Sequence, residues 1–220
     1  MRQPLITEAK LTTPRAAAAA GIIFAFLFGA SLVLVRLAVP QDLMDSTAWL
    51  SENPGMVKLA LRMVPYAGIA FLWFVGVVRD YLGDLEDRFF STVFFGSSLL
   101  FLALIFTASA MSGAILENYA ASLGGSSSSE IFAFGRGLTY QLMNVYAMRM
   151  AGVFMLSLGT VWFRTRRMPR WLALLTFVIA LVMLFGLGRD LWVAVLFPAW
   201  VFIVSVYILV RSRSILPEAV

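Results

Sequence analysis

The sequence predicts an all-α protein, a polytopic bundle of six transmembrane helices with both termini in the cytoplasm. Of the 220 residues, 61% are hydrophobic and 13% charged, with a mean hydropathy of +0.88, which is more apolar than a soluble domain. Apolar runs of membrane-spanning length recur along the chain. The basic residues collect on alternate connectors between these runs, and therefore on one side of a membrane.

The spans follow one another as a single transmembrane domain, residues 16–210. The first follows a cytoplasmic segment, residues 1–15, in which Thr13 and Pro14 are typical of a helix N-terminus. The third carries no charge, and the fifth is short. The predicted spans are residues 16–37, 57–78, 89–115, 138–163, 171–188 and 191–210, and residues 211–220 form a cytoplasmic tail.

The distribution of Lys and Arg sets the orientation, because acidic residues contribute little to the positive-inside rule. The side assigned to the cytoplasm collects Arg2, Lys10, Arg15, Arg79, Arg88, Arg164, Arg166, Arg167, Arg170, Arg211 and Arg213. The other side has only Arg36, Lys58, Arg62, Arg136 and Arg189. Within the first set, the connector residues Arg164, Arg166, Arg167 and Arg170 are expected to contact anionic lipid headgroups, and nucleic acid is not expected as a partner.

Two outer connectors have some length. Residues 38–55 are expected to hold a short interfacial helix around residues 46–50, and residues 117–137 contain a Gly/Ser tract typical of a flexible tether. Neither is large enough to form an independent domain.

The residue inventory excludes several kinds of chemistry. The chain has no Cys and no His, so it has no disulfide, no thiolate or imidazole metal ligand and no Ser-His or Cys-His pair. A glycine–aspartate pair at Gly83 and Asp84 lacks the second intramembrane aspartate that an aspartyl protease needs. We identify no catalytic residue, metal ligand or cofactor site, and the sequence favours a non-enzymatic protein.

Arg149 is the most unusual residue, because it lies near the middle of the fourth predicted span. Counted from Leu138 at about 1.5 Å per residue, it is roughly 16 Å deep in a hydrocarbon core about 30 Å thick. A charge at that depth is costly, so the side chain should face protein or a cavity. At about 100° per residue, Tyr146 and, at the edge, Gln141 share its face.

Three interpretations of Arg149 remain open. It pairs with a buried group or caps a backbone carbonyl, it lines an electropositive outer pocket for an anionic ligand or lipid headgroup, or it snorkels to the interface. The second interpretation gives a candidate ligand-binding set that consists of Arg149, Tyr146, Gln141, Arg62, Arg36 and Glu117, with Glu117 also a candidate counter-charge.

Small residues and prolines predict how the helices pack. Ser109 and Gly113 form a small-residue ridge on the third span, and Gly152 and Gly159 form another on the fourth. Prolines occur in the second and sixth spans, at Pro65 and Pro198, where each is expected to interrupt a helix. Close packing and a cavity bounded by kinked helices both fit these prolines.

The runs "RAAAAAGIIFAFLF" and "FRTRRMPRWLALL", separated by an acidic outer loop, resemble uncharacterised six-helix membrane proteins of bacteria, especially actinobacteria. The matching connector residues are Arg167, Pro169, Arg170 and Trp171. The resemblance implies a multi-pass protein of the bacterial cytoplasmic membrane and carries over no site residue.

Two functions from different classes fit these observations. The first is a non-enzymatic protein that binds a protein partner, a second copy, a lipid or an anionic ligand through its bundle. The alternative is a small secondary transporter with a midplane site near Arg149, for which a three-plus-three inverted repeat is a common design. A short echo between "AGIIF" at Ala20 and "AGVFM" at Ala151 is its sequence support.

Overall fold

The computed structural model describes residues 13–38, 53–82, 88–121, 129–166, 168–186 and 191–213, which are helical almost throughout and contain no strand. The helices are α1 (Thr13–Ala38), α2 (Pro54–Leu82), α3 (Arg88–Ala121), α4 (Ser129–Tyr140), a π-helix (Gln141–Ala147), α5 (Met148–Thr165), α6 (Arg170–Phe185), a 3₁₀-helix (Leu191–Val195) and α7 (Leu196–Arg213). The α4, π and α5 helices follow without a break and form one long helix, the fourth span. The all-α prediction is confirmed for the described residues.

Within the described part of the chain, five helices are long and apolar enough to cross a membrane, namely Arg15–Ala38, Pro54–Arg79, Phe89–Tyr119, Glu130–Thr165 and Trp192–Arg211. A sixth, α6, is apolar but has only 16 residues. Its length is about 24 Å at 1.5 Å per residue, less than a hydrocarbon core of about 30 Å. The lengths and compositions are those of a helical membrane protein.

Successive helices run in opposite directions, as contacts at both ends of the bundle show. At one end, Ala38 of α1, Val57 of α2 and Leu116 of α3 form a small apolar cluster. At the other end, the guanidinium of Arg79 lies 5.2 Å from the Phe95 ring centroid, and that of Arg164 lies 5.1 Å from the Phe90 centroid. We call the second end the basic end, because Arg15, Arg79, Arg164, Arg166, Arg170 and Arg211 belong to it.

An aromatic core fills the centre of the bundle. It is formed by buried rings from α1, α2, α3, α5 and α7: Phe24, Phe28, Phe71, Phe101, Phe154, Phe197 and Trp200. The ring centroids of Phe71 and Phe154 lie 5.4 Å apart, and those of Phe101 and Phe197 lie 4.9 Å apart. Most pairs are tilted or edge-to-face, the arrangements that aromatic quadrupoles favour.

A buried hydrogen bond ties the last two helices together beside this core. The indole nitrogen Nε1 of Trp200 donates to Oγ1 of Thr176 at 2.9 Å, and the Thr176 hydroxyl donates in turn to the Leu172 carbonyl at 2.8 Å. Both polar side chains are therefore satisfied away from water, where an unpaired polar group would be costly.

The long outer connector of residues 117–137 is shorter in the structure than the sequence predicts. The third span continues to Ala121 instead of ending at residue 115, and the fourth begins at Ser129 instead of residue 138. Contacts beyond the apolar region stabilise these extensions: Tyr119 meets Phe132 with 6.0 Å between ring centroids, and Ile115 packs against Gly135. The remaining tract, residues 122–128, and the interfacial helix expected at residues 46–50 lie outside the described residues.

The two prolines differ in how they affect their spans: α2 continues through Pro65, whereas the sixth span changes from a 3₁₀-helix to an α-helix beside Pro198. The α7 helix begins at Leu196, so Pro198 lies in its first turn, where a missing N–H breaks no helical hydrogen bond. The predicted sixth span, 191–210, is thus a 3₁₀ turn followed by an α-helix. Pro65 does lie inside α2, which is continuous through it, and its ring is exposed.

The other spans agree with prediction to within a few residues, except that α2 extends further at both ends. The predicted ranges 16–37 and 57–78 correspond to α1 and α2, and 171–188 corresponds to α6, which ends at Phe185. The Gly186 N–H donates to the Val182 carbonyl at 2.7 Å in the closing turn of α6. Residues 187–190 lie outside the described part of the chain.

Candidate functional site

Arg149 lies in the first turn of α5, directly after the π-helix, and is half-buried. Its Nη1 donates a hydrogen bond to the backbone carbonyl of Val145 at 3.3 Å, one turn earlier in the same helix. The same carbonyl accepts the backbone N–H of Met148. The predicted hydrogen-bond partner for Arg149 is confirmed, and it is a carbonyl.

The π-helix explains why a carbonyl is accessible there. A π turn shifts the backbone hydrogen bonds from four to five residues apart and so alters which carbonyls are fully paired. Two polar side chains bond to backbone oxygens in this region: Arg149 to Val145, and Asn144 Nδ2 to the Tyr140 carbonyl at 3.3 Å. The Thr139 hydroxyl, two residues before the π-helix, is buried without a hydrogen-bond partner.

Tyr146 and Gln141, predicted to share the face of Arg149, do not line the bundle interior. Tyr146 is 57% exposed and Gln141 is also exposed, whereas Arg149 is half-buried. The prediction counted a constant angle per residue, but the wide turn at Gln141–Ala147 changes the phase. Tyr146 and Gln141 therefore face outward from the bundle.

Arg149 is level with the C-terminal end of α6. The α5 and α6 helices are antiparallel, because Gly152 faces Ala180 and Leu184, and Gly159 faces Thr176 and Phe177. Arg149 is about one turn before Gly152 on α5, so it lies level with the last turn of α6. A helix C-terminus carries unpaired carbonyls and a partial negative charge, so a cation at this level is electrostatically favoured. This placement helps to explain how a permanent charge is accommodated here.

Glu117, the candidate counter-charge, does not lie beside Arg149. Glu117 is exposed on α3 near the level of Gly135, because Ile115 of α3 packs there. Gly135 is roughly 20 Å from Arg149 along the fourth span at about 1.5 Å per residue, so Glu117 is not its counter-charge. Arg62 is exposed on α2. Arg36 is half-buried at the end of α1, with its guanidinium 5.8 Å from the Trp192 ring centroid.

The basic connector presents its arginines at the surface. The side chains of Arg164, Arg166 and Arg170 are exposed, and the structure does not describe Arg167. Arg166 ends α5 in the left-handed conformation, with φ of 52°. These arginines lie within the few residues that connect α5 to α6 at the basic end. Such a cluster suits the phosphates of anionic lipids.

Two features that sequence analysis missed dominate the structure, namely the aromatic core and a groove on the membrane-facing surface between α1 and α7. The core rings could not be distinguished beforehand, because apolar side chains facing lipid and apolar side chains facing protein have the same composition. The described residues contain no group of three or more acidic side chains placed to hold a metal ion.

Comparison of the chain with protein-family models, with curated proteins and with solved structures found no match.

Proposed function

We propose that this chain is a multi-pass protein of the bacterial cytoplasmic membrane, with six spans and its basic end in the cytoplasm. It acts by binding a lipid or protein partner at its membrane-facing surface, and neither catalyses a reaction nor moves a solute through its interior. The resemblance to uncharacterised six-helix bacterial proteins is part of this proposal.

The aromatic core is the observation that carries the proposal. Secondary transporters bind their substrate near the midplane, between two repeats, in a cavity that opens alternately to each side. Here that depth is occupied by interlocked rings: Phe154 of α5 lies within 6.1 Å, centroid to centroid, of Phe71, Phe94, Phe197 and Trp200. Interiors packed in this way transmit force but leave no passage for a solute.

The threading in the proposal is supported by the charges. The connector arginines Arg164, Arg166 and Arg170 belong to the basic end, together with Arg79 and Arg211. Basic residues close to the ends of spans favour the cytoplasmic side. The arginines at that end then face the negatively charged lipids of the inner leaflet.

The absence of native cysteine permits a direct test by single-cysteine labelling. Ala151 and Ser98 are small residues with 0% exposure in the interior, on α5 and α3. In proteoliposomes, Ala151→Cys and Ser98→Cys should react with a hydrophilic maleimide only after denaturation. Labelling of both in the folded protein would show water at the midplane and would favour the transporter.

The matched controls report the threading in the same experiment. Gly55→Cys, exposed at the N-terminus of α2, should react with an impermeant maleimide from outside whole cells. Thr165→Cys, at the end of α5, should react only after the membrane is opened. The reverse pattern would mean that the basic end is not cytoplasmic.

A further inference from the structure

A groove of about 680 Å³ runs along the surface between α1 and α7. Its lining residues are apolar: Ile22, Ile23, Ala25, Phe26, Leu27, Gly29, Val195, Pro198, Ala199, Phe202 and Ile203. Both helices belong to membrane-spanning segments, so the groove opens toward lipid. Its volume is in the range of small-molecule sites, roughly 300–1,000 Å³.

The groove leads to a cation at the end of the bundle away from the basic end. Arg36 lies on the same face of α1 as the lining residues Ile22 and Gly29, because each is one heptad from the next and a helix drifts only about 20° per heptad. From Gly29 to Arg36 the rise is roughly 10 Å at 1.5 Å per residue. On the other wall, Trp192 lies in the 3₁₀-helix just before the lining residue Val195.

Arg36 and Trp192 are joined at this end of the groove. The Arg36 guanidinium lies 5.8 Å from the Trp192 ring centroid, a cation–π distance that connects α1 to the 3₁₀-helix. Arg36 is half-buried and Trp192 partly exposed. An arginine presents a planar fork of donors suited to phosphate, and tryptophan is the residue enriched at the headgroup level of membranes.

We propose that the groove is a lipid site: an acyl chain of an anionic phospholipid lies between α1 and α7, and Arg36 binds its phosphate. The apolar walls fit the chain, and the Arg36 cation beyond the end of the groove fits the headgroup charge. This inference rests on the proposed function, since it names the ligand class and the place of surface binding.

The shape of the groove favours a flexible chain over a helix of a second copy. Large side chains stand out from both walls, with Phe26 72% and Phe202 47% exposed. Close helix association in a membrane favours small residues at the contact. A flexible acyl chain can follow the space between protruding rings, whereas a helix would be held off by them.

The first experiment measures lipid binding by native mass spectrometry of the purified full chain in detergent, with phosphatidylglycerol and phosphatidylcholine as the probes. Arg36→Gln should weaken phosphatidylglycerol binding about fivefold, the equivalent of roughly 1 kcal/mol per cation near a lipid surface. Phosphatidylcholine has the same phosphate, but its choline cation offsets the negative charge, so its binding should fall less than that of phosphatidylglycerol. The matched control is Lys58→Gln, which removes one exposed positive charge on α2 at the same end of the bundle as Arg36. It should leave both affinities unchanged.

The acyl-chain half of the proposal is tested by filling the groove. Ala199→Phe should weaken both lipids together, because Ala199 lines the groove, whereas Ala103→Phe places the same ring on an exposed position of α3 and should have no effect. Equal losses for Arg36→Gln and Lys58→Gln, or no loss for Ala199→Phe, would overturn the proposal. A dimer that disappears with Ala199→Phe while lipid binding persists would assign the groove to a second copy instead.

A measurement on the unmodified protein removes any dependence on how the variants fold. Phosphatidylglycerol with a photoreactive diazirine on its acyl chain should label peptides from α1 and α7 above all others. Preferential labelling elsewhere would contradict the site. If the groove fails these tests while Ala151→Cys and Ser98→Cys stay unlabelled, only the groove is wrong, whereas labelling of those cysteines would remove the proposed function itself.

Discussion

Two glycines of this bundle differ in what lies beside them. At Gly152, on the seam between α5 and α6, an added Cβ would lie 2.9 Å from Leu184 Cγ and 3.1 Å from the Ala180 carbonyl oxygen. At Gly29, on the seam between α1 and α7, its nearest neighbour would be Pro198 Cβ at 3.9 Å. The first seam is closed at its glycine. The second leaves a groove beside Gly29, although α1 and α7 meet closely further along, where a Cβ added at Gly21 would touch Ser205 Oγ. A small residue in a membrane helix therefore indicates close packing only when a neighbour occupies the space that it leaves.

The largest loss of stability should come from the aromatic core, because both seams pack against it. Phe154→Ala removes a fully buried ring that stacks on Phe94 at 4.8 Å and contacts Phe71 and Phe197. Phe-to-Ala changes in packed interiors cost about 3–5 kcal/mol. The melting temperature in detergent should fall more than for any other variant described below. An unchanged melting temperature would mean that the rings do not form a packed interior.

The closed seam should be the next most sensitive. Gly152→Leu places a branched side chain against the Ala180 carbonyl, a backbone atom that cannot move independently of α6. Overpacking of this kind costs about 1–3 kcal/mol, and more where the backbone must shift. The same thermal melt measures it, with Gly113→Leu as the control. Gly113 belongs to the predicted ridge on α3, yet no described atom lies within 4 Å of the position of an added Cβ. Similar losses for the two variants would contradict the difference in packing.

The hydrogen bond between α6 and α7 should have a smaller effect. Thr176→Val keeps the side-chain shape but removes the acceptor of the Trp200 Nε1–H, which is buried. Leaving a buried donor unpaired costs about 1–3 kcal/mol. The control is Thr160→Val, because the Thr160 hydroxyl donates to the Leu156 carbonyl of its own helix. The fall in melting temperature should be smaller for Thr160→Val than for Thr176→Val.

The open seam should be the least sensitive to added volume. Gly29→Leu extends into the groove, and replacing a mid-helix glycine removes roughly 0.5–1 kcal/mol of unfavourable entropy. Its melting temperature should equal or slightly exceed that of the unmodified protein when no lipid is added. Added phosphatidylglycerol should stabilise the unmodified protein more than this variant, because a ligand that binds the folded state stabilises it more the lower its Kd at a given ligand concentration. A strong destabilisation without lipid would show that the seam is closed.

Hydrophobicity alone located the apolar helices, because a membrane-crossing helix needs an apolar run of a certain length wherever it packs. It did not locate the ends of the third and fourth spans, where Tyr119, Phe132 and Gly135 make contacts that only the folded chain brings together. Nor could it separate Phe26, which is exposed, from Phe28, which is buried in the core. These two rings are alike in sequence and differ only in which neighbours they face.

The candidate site was predicted in part. An arginine at the centre of a span requires a partner, and the Val145 carbonyl supplies it. The prediction of which side chains share a face with Arg149 was wrong. The π-helix at Gln141–Ala147 changes the backbone hydrogen bonding, and residue periodicity does not reveal such a change. That the C-terminus of α6 lies level with Arg149 could not be predicted either, because it depends on how α5 and α6 are aligned along their length.

An experimental structure in nanodiscs that contain phosphatidylglycerol tests the central claim most directly. We predict a dry aromatic core around Phe154, with elongated density in the α1–α7 groove that ends at Arg36. A water-filled cavity that reaches the midplane beside Arg149, with Phe154 and Phe197 drawn apart, would contradict the account of a closed bundle that binds at its surface.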